Sequence, residues 1–593
     1  MQATPSFSLA LLATELIPAV YGIPNCPYPG PVFPKPTNLA SSDIIQTALA
    51  NLTATFDTRG TDPANNPNGT SWSMQVFSAS SDEPIWEHYH TAMDLLDADN
   101  PGVKSVDGDT IYRLGSLTKI FTIMTFLAEV GDAYWNTPVT RYVPELDLLA
   151  GKAQYDPIMN VAWDEVTLGN LASHMAGIVR DYALEGELTQ ENNQTVLIAQ
   201  GFPPAPRNMT PICGEAILCN RAQFFTGLAN VPPSFAPGRT AGYSNMGYQL
   251  LAYALEGIAQ KGFEAMLEAA VVGALGLSRT YYRKPADELG VIPPGGRDAW
   301  AHDLGEASPT GNMYSSVGDL SALGRAIFRS AVMPPAQTRR WLKPASLTAD
   351  VYEGLSYPWG VRRIRLETSD SNNSNRVVDA YSKAGSIGPY ASLLVLLPDY
   401  DVGMAALLAG GWPGNANWDM ADAAGGALVP AIEAAARAQA DAAYAGLYSS
   451  AAEGLNSSLA LSTEPGRPGL GVERWVSNGT DMVAVAVRHT LNYNVARPSV
   501  RLYPAGLETT AGGEEDGGAA GTRRVAFKAL VENLAAPDYR DRMFSTNCGT
   551  WVSQTTAVYA DMPLDQFVFT LSAEGDVISV EPLALRASLM KVS

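Results

Sequence analysis

The chain has 593 residues, 46% of them hydrophobic and 17% charged, and its formal net charge is −21 at pH 7. This length and composition indicate a globular protein with two or three domains and ample core. The strong negative charge argues against nucleic acid or an anionic membrane as a partner.

The N-terminus carries an apolar stretch from Phe7 to Val20 that Glu15 interrupts. Its length and the small residue Gly22 that follows it predict a secretory signal peptide over residues 1–22. No later segment is long and apolar enough to span a bilayer. We therefore expect a secreted protein.

The cysteine count also favours an oxidising compartment. Four cysteines, an even and sparse set, suit two disulfides better than a metal site. We expect a small loop closed by Cys213 and Cys219, which leaves Cys26 to pair with Cys548; four free thiols are the alternative. Glycosylation acceptors of the N-x-S/T type occur at Asn51, Asn68, Asn193, Asn208, Asn372, Asn456 and Asn478.

Hydrophobic periodicity predicts both helices and strands along the chain. A Pro-rich arm over 23–40 precedes them, and residues 177–231 have no regular pattern and could form a wall or lid over a site. Helices are expected at 42–52, 116–130, 137–150, 162–176, 245–260, 262–274, 317–330 and 418–441. Strands are expected at 73–78, 84–89, 110–113, 360–367, 377–381, 391–397, 402–408, 482–487, 500–503, 524–530 and 566–570.

This order of elements predicts an α+β fold followed by an all-β domain. The pattern changes from helices and strands to short β segments after Ala445. We therefore place domain boundaries so that 1–22 is the signal peptide, 23–440 the first domain and 441–593 a β-barrel or sandwich.

Ser116 and Lys119 lie three residues apart at the start of an apolar helix, so they share one face of it. The positive end of that helix would favour a developing alkoxide on the serine. A buried lysine with a lowered pKa could take the hydroxyl proton. Alone, the S-x-x-K pattern is a weak signal, because it recurs by chance in a chain this long, and an N-cap serine followed by a surface lysine is the more common explanation.

A second motif, Tyr243-Ser244-Asn245, leads into a later helix. Two nearby ammonium groups would stabilise the phenolate of Tyr243 and bring it within reach of general-base duty. The amide of Asn245 could orient a lysine or a substrate carbonyl without adding charge. The alternative is an ordinary turn before a helix.

A third motif, Lys383-Ala384-Gly385-Ser386, lies where a strand becomes a Gly-rich turn. Lys383 would supply the second cation, and Gly385 would let a substrate approach an edge strand. The backbone N–H groups of Ser116 and Ser386 would form an oxyanion hole. The alternative is a strand-end lysine followed by turn glycines.

In this order the three motifs resemble those of the serine β-lactamase and penicillin-binding-protein superfamily, and most closely the class C β-lactamases and related esterases and transesterases. The resemblance covers about 40–435 and extends to the segments 171–177, 235–238, 308–320 and 358–360. It implies an antiparallel sheet flanked by helices, with an all-helical part and the site between them. A lipocalin-like β-barrel follows in many long members, and residues 444–448 look like its opening.

The resemblance also implies roles for the motif residues. Ser116 would be the nucleophile, Lys119 and Tyr243 the base system, and Asn245 the residue that orients Lys119 and substrate. Lys383 would occupy the cation position of the third motif, beside Ala384, Gly385 and Ser386 in the substrate-binding strand. Such chemistry needs no metal or organic cofactor.

One departure concerns the substrate. The family carries a hydroxyl residue after the third-motif lysine, where this chain has Ala384. A hydrogen bond to a charged group contributes about 1.5–3 kcal/mol, so recognition of a β-lactam carboxylate should suffer. We therefore expect a small-molecule ester or amide substrate. A true β-lactamase, a carrier-thioester-dependent transesterase and an inactive binding protein remain alternatives, and the oligomeric state is open.

Overall fold

The computed structural model describes residues 26–61, 69–97, 99–207, 209–214, 217–366, 376–411, 415–491, 495–509, 521–535, 542–545 and 548–592. These residues divide into two compact units. The main unit comprises the described parts of 35–366 and 377–436, and the C-terminal unit comprises 26–34, 376 and the described part of 437–592. No helix within these ranges is both long and apolar enough to cross a membrane.

The main unit is built on an antiparallel sheet. Its strands are β1 Ser71–Ser78, β2 Trp86–His90, β3 Ile111–Arg113, β4 Tyr314–Ser316, β5 Ser346–Leu347, β6 Glu353–Leu355, β7 Gly360–Arg365, β8 Val377–Ile387, β9 Tyr390–Leu397 and β10 Val402–Ala409. The sheet order is β2-β1-β10-β9-β8-β7-β6-β5, and β3 pairs separately with β4. Strands β9 and β10 are buried along their whole length, because both faces of the sheet are covered.

Helices cover both faces. They are α1 Asp43–Thr61, α2 Thr118–Val130, α3 Pro144–Ala150, α4 Leu168–Ala172, α5 Leu188–Glu191, α6 Gln194–Ala199, α7 Arg221–Leu228, α8 Met246–Ala259, α9 Phe263–Leu267, α10 Arg297–Ala301, α11 Ser308–Gly311, α12 Val317–Arg329, α13 Pro335–Trp341 and α14 Ala416–Tyr444. The first core joins α2 and α8 to the sheet face that carries Tyr381 and Leu394. The second core joins α1 and α14 to the opposite face, which carries Ala380 and Leu393. This layering confirms the predicted α+β class.

The C-terminal unit is a β-barrel. Its strands are β11 Gly446–Ser450, β12 Ser458–Glu464, β13 Arg467–Ser477, β14 Thr480–Asp481, β15 Pro498–Glu508, β16 Arg523–Asn533, β17 Val558–Tyr559, β18 Met562–Pro563, β19 Gln566–Leu571, β20 Val577–Pro582 and β21 Leu589–Lys591. The order is β12-β11-β21-β20-β19-β16-β15-β13-β14, with β17 and β18 paired separately. Because β12 also pairs with β13, the sheet closes on itself.

One expected strand is a helix. Residues 482–487 alternate like a strand, but α15 spans Met482–Leu491. The carboxylate of Asp481 accepts hydrogen bonds from the backbone N–H groups of Val483 and Ala484. An aspartate in this position caps a helix N-terminus, and this local cap overrides the alternation.

The two units divide the chain differently from the expected boundaries. The change from one unit to the other falls between Ala436 and Arg437, inside the continuous helix α14. Residues 26–34 belong to the C-terminal unit because Cys26 is disulfide-bonded to Cys548. The ring of Tyr28 also packs edge-on against that of Tyr503, with centroids 5.6 Å apart.

The second disulfide joins Cys213 to Cys219 in the main unit. Two disulfides are consistent with secretion. The predicted signal peptide over 1–22 lies outside the described residues, as do the acceptors Asn68, Asn208 and Asn372. The remaining acceptors are exposed: Asn51, Asn193, Asn456 and Asn478.

Candidate active site

Ser116 lies in a single 3-10 turn, Gly115–Leu117, that runs directly into α2. Strand β8 packs against this turn at backbone distance. A Cβ on Gly115, whose φ is +52°, would lie 2.5 Å from the Ser386 carbonyl oxygen, and a Cβ on Gly385 would lie 2.7 Å from the Ser116 nitrogen. A side chain at either glycine would therefore disrupt the contact that brings the backbone N–H groups of Ser116 and Ser386 close together.

This contact corrects the expected role of Gly385. The expected edge position holds locally, because β7 pairs with β8 only over residues 377–382 and residues 383–387 pair with β9 alone. The space that the missing Cβ leaves is filled by the Ser116 turn, so the glycine serves packing within the protein and not a close approach of substrate.

Lys119 is fully buried in the first turn of α2. Its Nζ lies 3.1 Å from Ser116 Oγ, 2.7 Å from Asn245 Oδ1 and 2.7 Å from the backbone oxygen of Thr310. The helical spacing brings the first contact, and α8 and α11 bring the other two. The amine therefore has three fixed oxygen neighbours, and one of them is the candidate nucleophile.

Tyr243 reaches the same serine from the segment before α8. Its hydroxyl donates to Ser116 Oγ at 2.7 Å. The ring of His174 stacks on the tyrosine ring with centroids 4.5 Å apart, and His174 Nδ1 accepts from the backbone N–H of Ser244 at 3.2 Å. Burial holds the pKa of His174 well below its usual value, so this histidine supports Tyr243 and stays neutral.

The environment of Tyr243 contradicts the expected phenolate. Burial raises the pKa of Tyr243 to about 12, although its hydrogen bond to Ser116 and the guanidinium of Arg180 oppose the rise. The amino groups of Lys119 and Lys383 lie 5.1 and 5.5 Å from the ring centroid and do not offset the desolvation. At neutral pH the tyrosine is a hydrogen-bond donor.

Both lysines carry strongly lowered pKa values. Burial, and then the charge of Lys383, holds the pKa of Lys119 well below its usual value. Burial, and then the charge of Arg180, lowers the pKa of Lys383 to about 7. Among the described residues no carboxylate forms an ion pair with either lysine. Desolvation without a counter-charge favours the neutral amine, so Lys119 is the candidate base of this site.

Lys383 and Ala384 point to opposite faces of the sheet. Lys383 Nζ faces Tyr243 and donates to the Ala384 carbonyl oxygen at 2.5 Å. The Ala384 side chain packs against the second core, on the face covered by α1 and α14. The expectation that this side chain lines the substrate site is therefore wrong, because alternation along β8 turns it away.

Two residues that the motifs did not indicate complete the site. Asp181 Oδ2 accepts from Asn245 Nδ2 at 3.0 Å, and Arg180 lies with its guanidinium 4.9 Å from the Tyr243 ring centroid. Both lie in the irregular stretch after the 171–177 segment. Their position directly after that segment was the one signal in the sequence that could have found them.

A comparison with protein families covers all the residues of this site. The model of the Beta-lactamase family matches residues 73–427, which is more than half of the chain and includes every residue of the site. The chain belongs to the beta-lactamase family. A second model, described as Beta-lactamase-like-like, C-terminal domain, matches residues 436–593. This second match covers the C-terminal barrel.

Several known proteins are similar to large parts of the chain. A beta-lactamase-like protein of Arthroderma benhamiae is 29% identical over 605 residues, which cover 96% of each chain. A probable hydrolase of Phoma sp. is 25% identical over 476 residues, 78% of this chain and 74% of its own. A solved class C beta-lactamase mutant superposes with a TM-score of 0.46 at 15% identity and covers 66% of this chain and 99% of its own.

Proposed function

We propose that the protein is a serine hydrolase or acyltransferase that forms an acyl-enzyme on Ser116. One observation carries the proposal: Ser116 Oγ lies 3.1 Å from the buried amine of Lys119 and 2.7 Å from the hydroxyl of Tyr243. A nucleophile within hydrogen-bond reach of both a neutral base and a proton donor has what acyl transfer requires.

The proton path follows from the donors and acceptors. A neutral lysine has two N–H groups and one lone pair. Its N–H groups donate to Asn245 Oδ1 and to the Thr310 carbonyl, so the lone pair is left for the Ser116 hydroxyl. The serine oxygen then attacks the acyl carbonyl while its proton moves to Lys119 Nζ. The oxyanion would lie against the N–H groups of Ser116 and Ser386.

Collapse of the tetrahedral intermediate breaks the bond to the leaving group, which needs a proton. Tyr243 donates to Ser116 Oγ in the resting site and can pass its proton to the leaving oxygen or nitrogen, while the ammonium of Lys119 returns a proton to the phenolate. Water or an alcohol then repeats these steps in reverse and frees the serine. Hydrolysis and acyl transfer differ only in this second nucleophile.

An ester or amide is the proposed substrate class. Position 384 offers no hydroxyl, and its methyl group packs on the second core, so neither the residue nor its direction supplies the donor that holds the carboxylate of a β-lactam in the superfamily. The two disulfides support an exported enzyme. A thioester-dependent transesterase, a true β-lactamase and an inactive binding protein are outcomes of the test.

The test is intact-protein mass spectrometry after brief incubation with p-nitrophenyl butyrate and, separately, with a chromogenic cephalosporin. Peptide mapping locates any adduct, and Ser116→Ala is the control. We expect a butyryl adduct on Ser116 and none in the variant. Turnover of the cephalosporin would identify a β-lactamase. A folded protein that gives no adduct with either compound contradicts the proposal, and acylation only by a carrier thioester would favour the transesterase.

A further inference from the structure

Asp181 is a buried carboxylate whose partner is an active-site amide. Its side chain is 5% exposed. Its Oδ2 accepts from Asn245 Nδ2 at 3.0 Å and lies 3.5 Å from Arg180 Nε. Burial raises the pKa of the Asp181 carboxyl, while the Asn245 hydrogen bond and the Arg180 charge oppose the rise. One amide donor and one guanidinium charge therefore lie beside the same carboxylate oxygen.

This contact fixes the orientation of the Asn245 amide. An asparagine side chain has a donor end and an acceptor end of nearly the same shape. An ionised carboxylate only accepts, so the Nδ2 end must face Asp181. The Oδ1 end then faces Lys119 Nζ, 2.7 Å away.

The orientation matters because of the lone pair of Lys119. With Oδ1 facing the amine, Asn245 takes one N–H of Lys119 and Thr310 takes the other. If the amide were reversed, Nδ2 would donate to the amine, and the lone pair would point at Asn245 in place of Ser116. The acceptor at 181 thus keeps the base directed at the nucleophile.

We propose that Asp181 is a positioning residue that acts through Asn245 to aim the lone pair of Lys119 at Ser116. The proposal rests on the acyl-enzyme function proposed above. Among the described residues Asp181 forms a hydrogen bond with neither Ser116 nor Lys119, so its positioning effect passes through the amide. Its negative charge also acts on Lys119 at a distance, where it opposes the lowering of the amine pKa, and Asp181→Asn separates the two effects.

A double-mutant cycle tests this. Initial rates with p-nitrophenyl butyrate are measured for Asp181→Ala, Asn245→Ala and the double variant. Misdirected groups in a site lower rates by about 10–100-fold, so we expect kcat of Asp181→Ala to fall by about 30-fold, with KM little changed. The double variant should match Asn245→Ala alone, because Asp181 then has nothing to orient. A merely structural role would give multiplicative losses.

The conservative variant separates orientation from charge. Asp181→Asn keeps an oxygen that the donors of Asn245 and Arg180 attract, so it should stay within about threefold of the unmodified kcat, a difference under 1 kcal/mol. Glu185→Gln, which removes the other carboxylate near Arg180, is the matched control and should leave kcat unchanged. Thermal unfolding of each variant is recorded, and Asp181→Ser replaces Asp181→Ala in the cycle if the latter does not fold.

Multiplicative losses in the cycle, or a loss in Asp181→Asn as large as in Asp181→Ala, would overturn the proposal. The first result would mean that Asp181 acts independently of Asn245, and the second that its charge matters and not its acceptor. Absence of any Ser116 adduct in the unmodified protein would instead refute the acyl-enzyme function. The two failures are therefore distinguishable.

Discussion

Lys119 in the main unit and Arg501 in the C-terminal unit are both buried basic side chains, but their surroundings differ. Arg501 is 2% exposed and forms an ion pair with Glu464 at 3.0 Å. It also donates to the backbone oxygens of Pro468 at 2.6 Å and Gly469 at 2.7 Å. Lys119 has only neutral oxygen acceptors within hydrogen-bond distance.

The difference shows how one fold uses burial for two purposes. Burying a charge is unfavourable unless partners replace its water. In the barrel, Arg501 finds those partners and the network ties β12, β13 and β15 together. In the main unit no carboxylate among the described residues forms an ion pair with Lys119, and burial holds the pKa of its amine well below the usual value. The cost of desolvation is offset by hydrogen-bond partners in one unit and lowers the pKa of the candidate base in the other.

Lys119→Met removes the proposed base and should have the largest effect of the variants considered. Methionine fills a similar volume but cannot take the serine proton, so acylation of Ser116 by p-nitrophenyl butyrate should fall by about 10⁴-fold. Burst kinetics measure it. Lys261→Met, at a lysine whose side chain is 60% exposed, is the control and should keep full activity. A loss below tenfold would mean that another group accepts the proton.

Arg501→Met tests the other side of the comparison. The change removes the Arg501 donor from the Pro468 and Gly469 carbonyls and one of the two arginine partners of Glu464, which keeps Arg467. We expect a loss of about 3 kcal/mol in the free energy of unfolding. Chemical denaturation monitored by tryptophan fluorescence measures it. Arg474→Met, at an exposed position of β13, should change stability by less than about 0.5 kcal/mol. Equal effects at the two positions would show that the buried network contributes nothing.

Local periodicity was enough to predict much of this arrangement. Ser116 and Lys119 meet because one helical turn separates them, and the continuous apolar runs of β9 and β10 could only be buried strands. Tyr243 and Asn245 precede a helix whose pattern is plain in the sequence. These features depend on neighbours in the chain, so the chain reveals them.

Features that depend on distant neighbours could not be predicted in this way. The raised pKa of Tyr243 follows from burial that only the folded site creates. The direction of the Ala384 side chain follows from the sheet and from the packing of the second core. Asp181 lies in a stretch without periodicity, and its role emerges only when Asn245 lies beside it.

Lys383→Met tests whether a buried lysine without a counter-charge lowers the stability of the main unit. It should have the smallest effect. The pKa of Lys383 is lowered from 10.5 to about 7 in the folded protein, so below pH 7 the folded state must hold a buried charge that the unfolded state exposes to water. Each pKa unit corresponds to about 1.4 kcal/mol. Because water penetration and relaxation reduce such penalties, we expect the variant to be about 2 kcal/mol more stable at pH 7.

The gain in the free energy of unfolding of Lys383→Met should depend on pH. The gain should be largest below pH 7, shrink as pH rises from 7 towards 10.5, and vanish above it, where both states hold a neutral lysine. Removing the charge of Lys383 should also raise the pKa of Lys119, so the acidic limb of the acylation profile should move to higher pH. Unfolding curves and acylation rates from pH 5 to 11 measure both. A variant that is less stable at pH 6 than the unmodified protein would show that Lys383 is compensated in the site after all, as Arg501 is in the barrel.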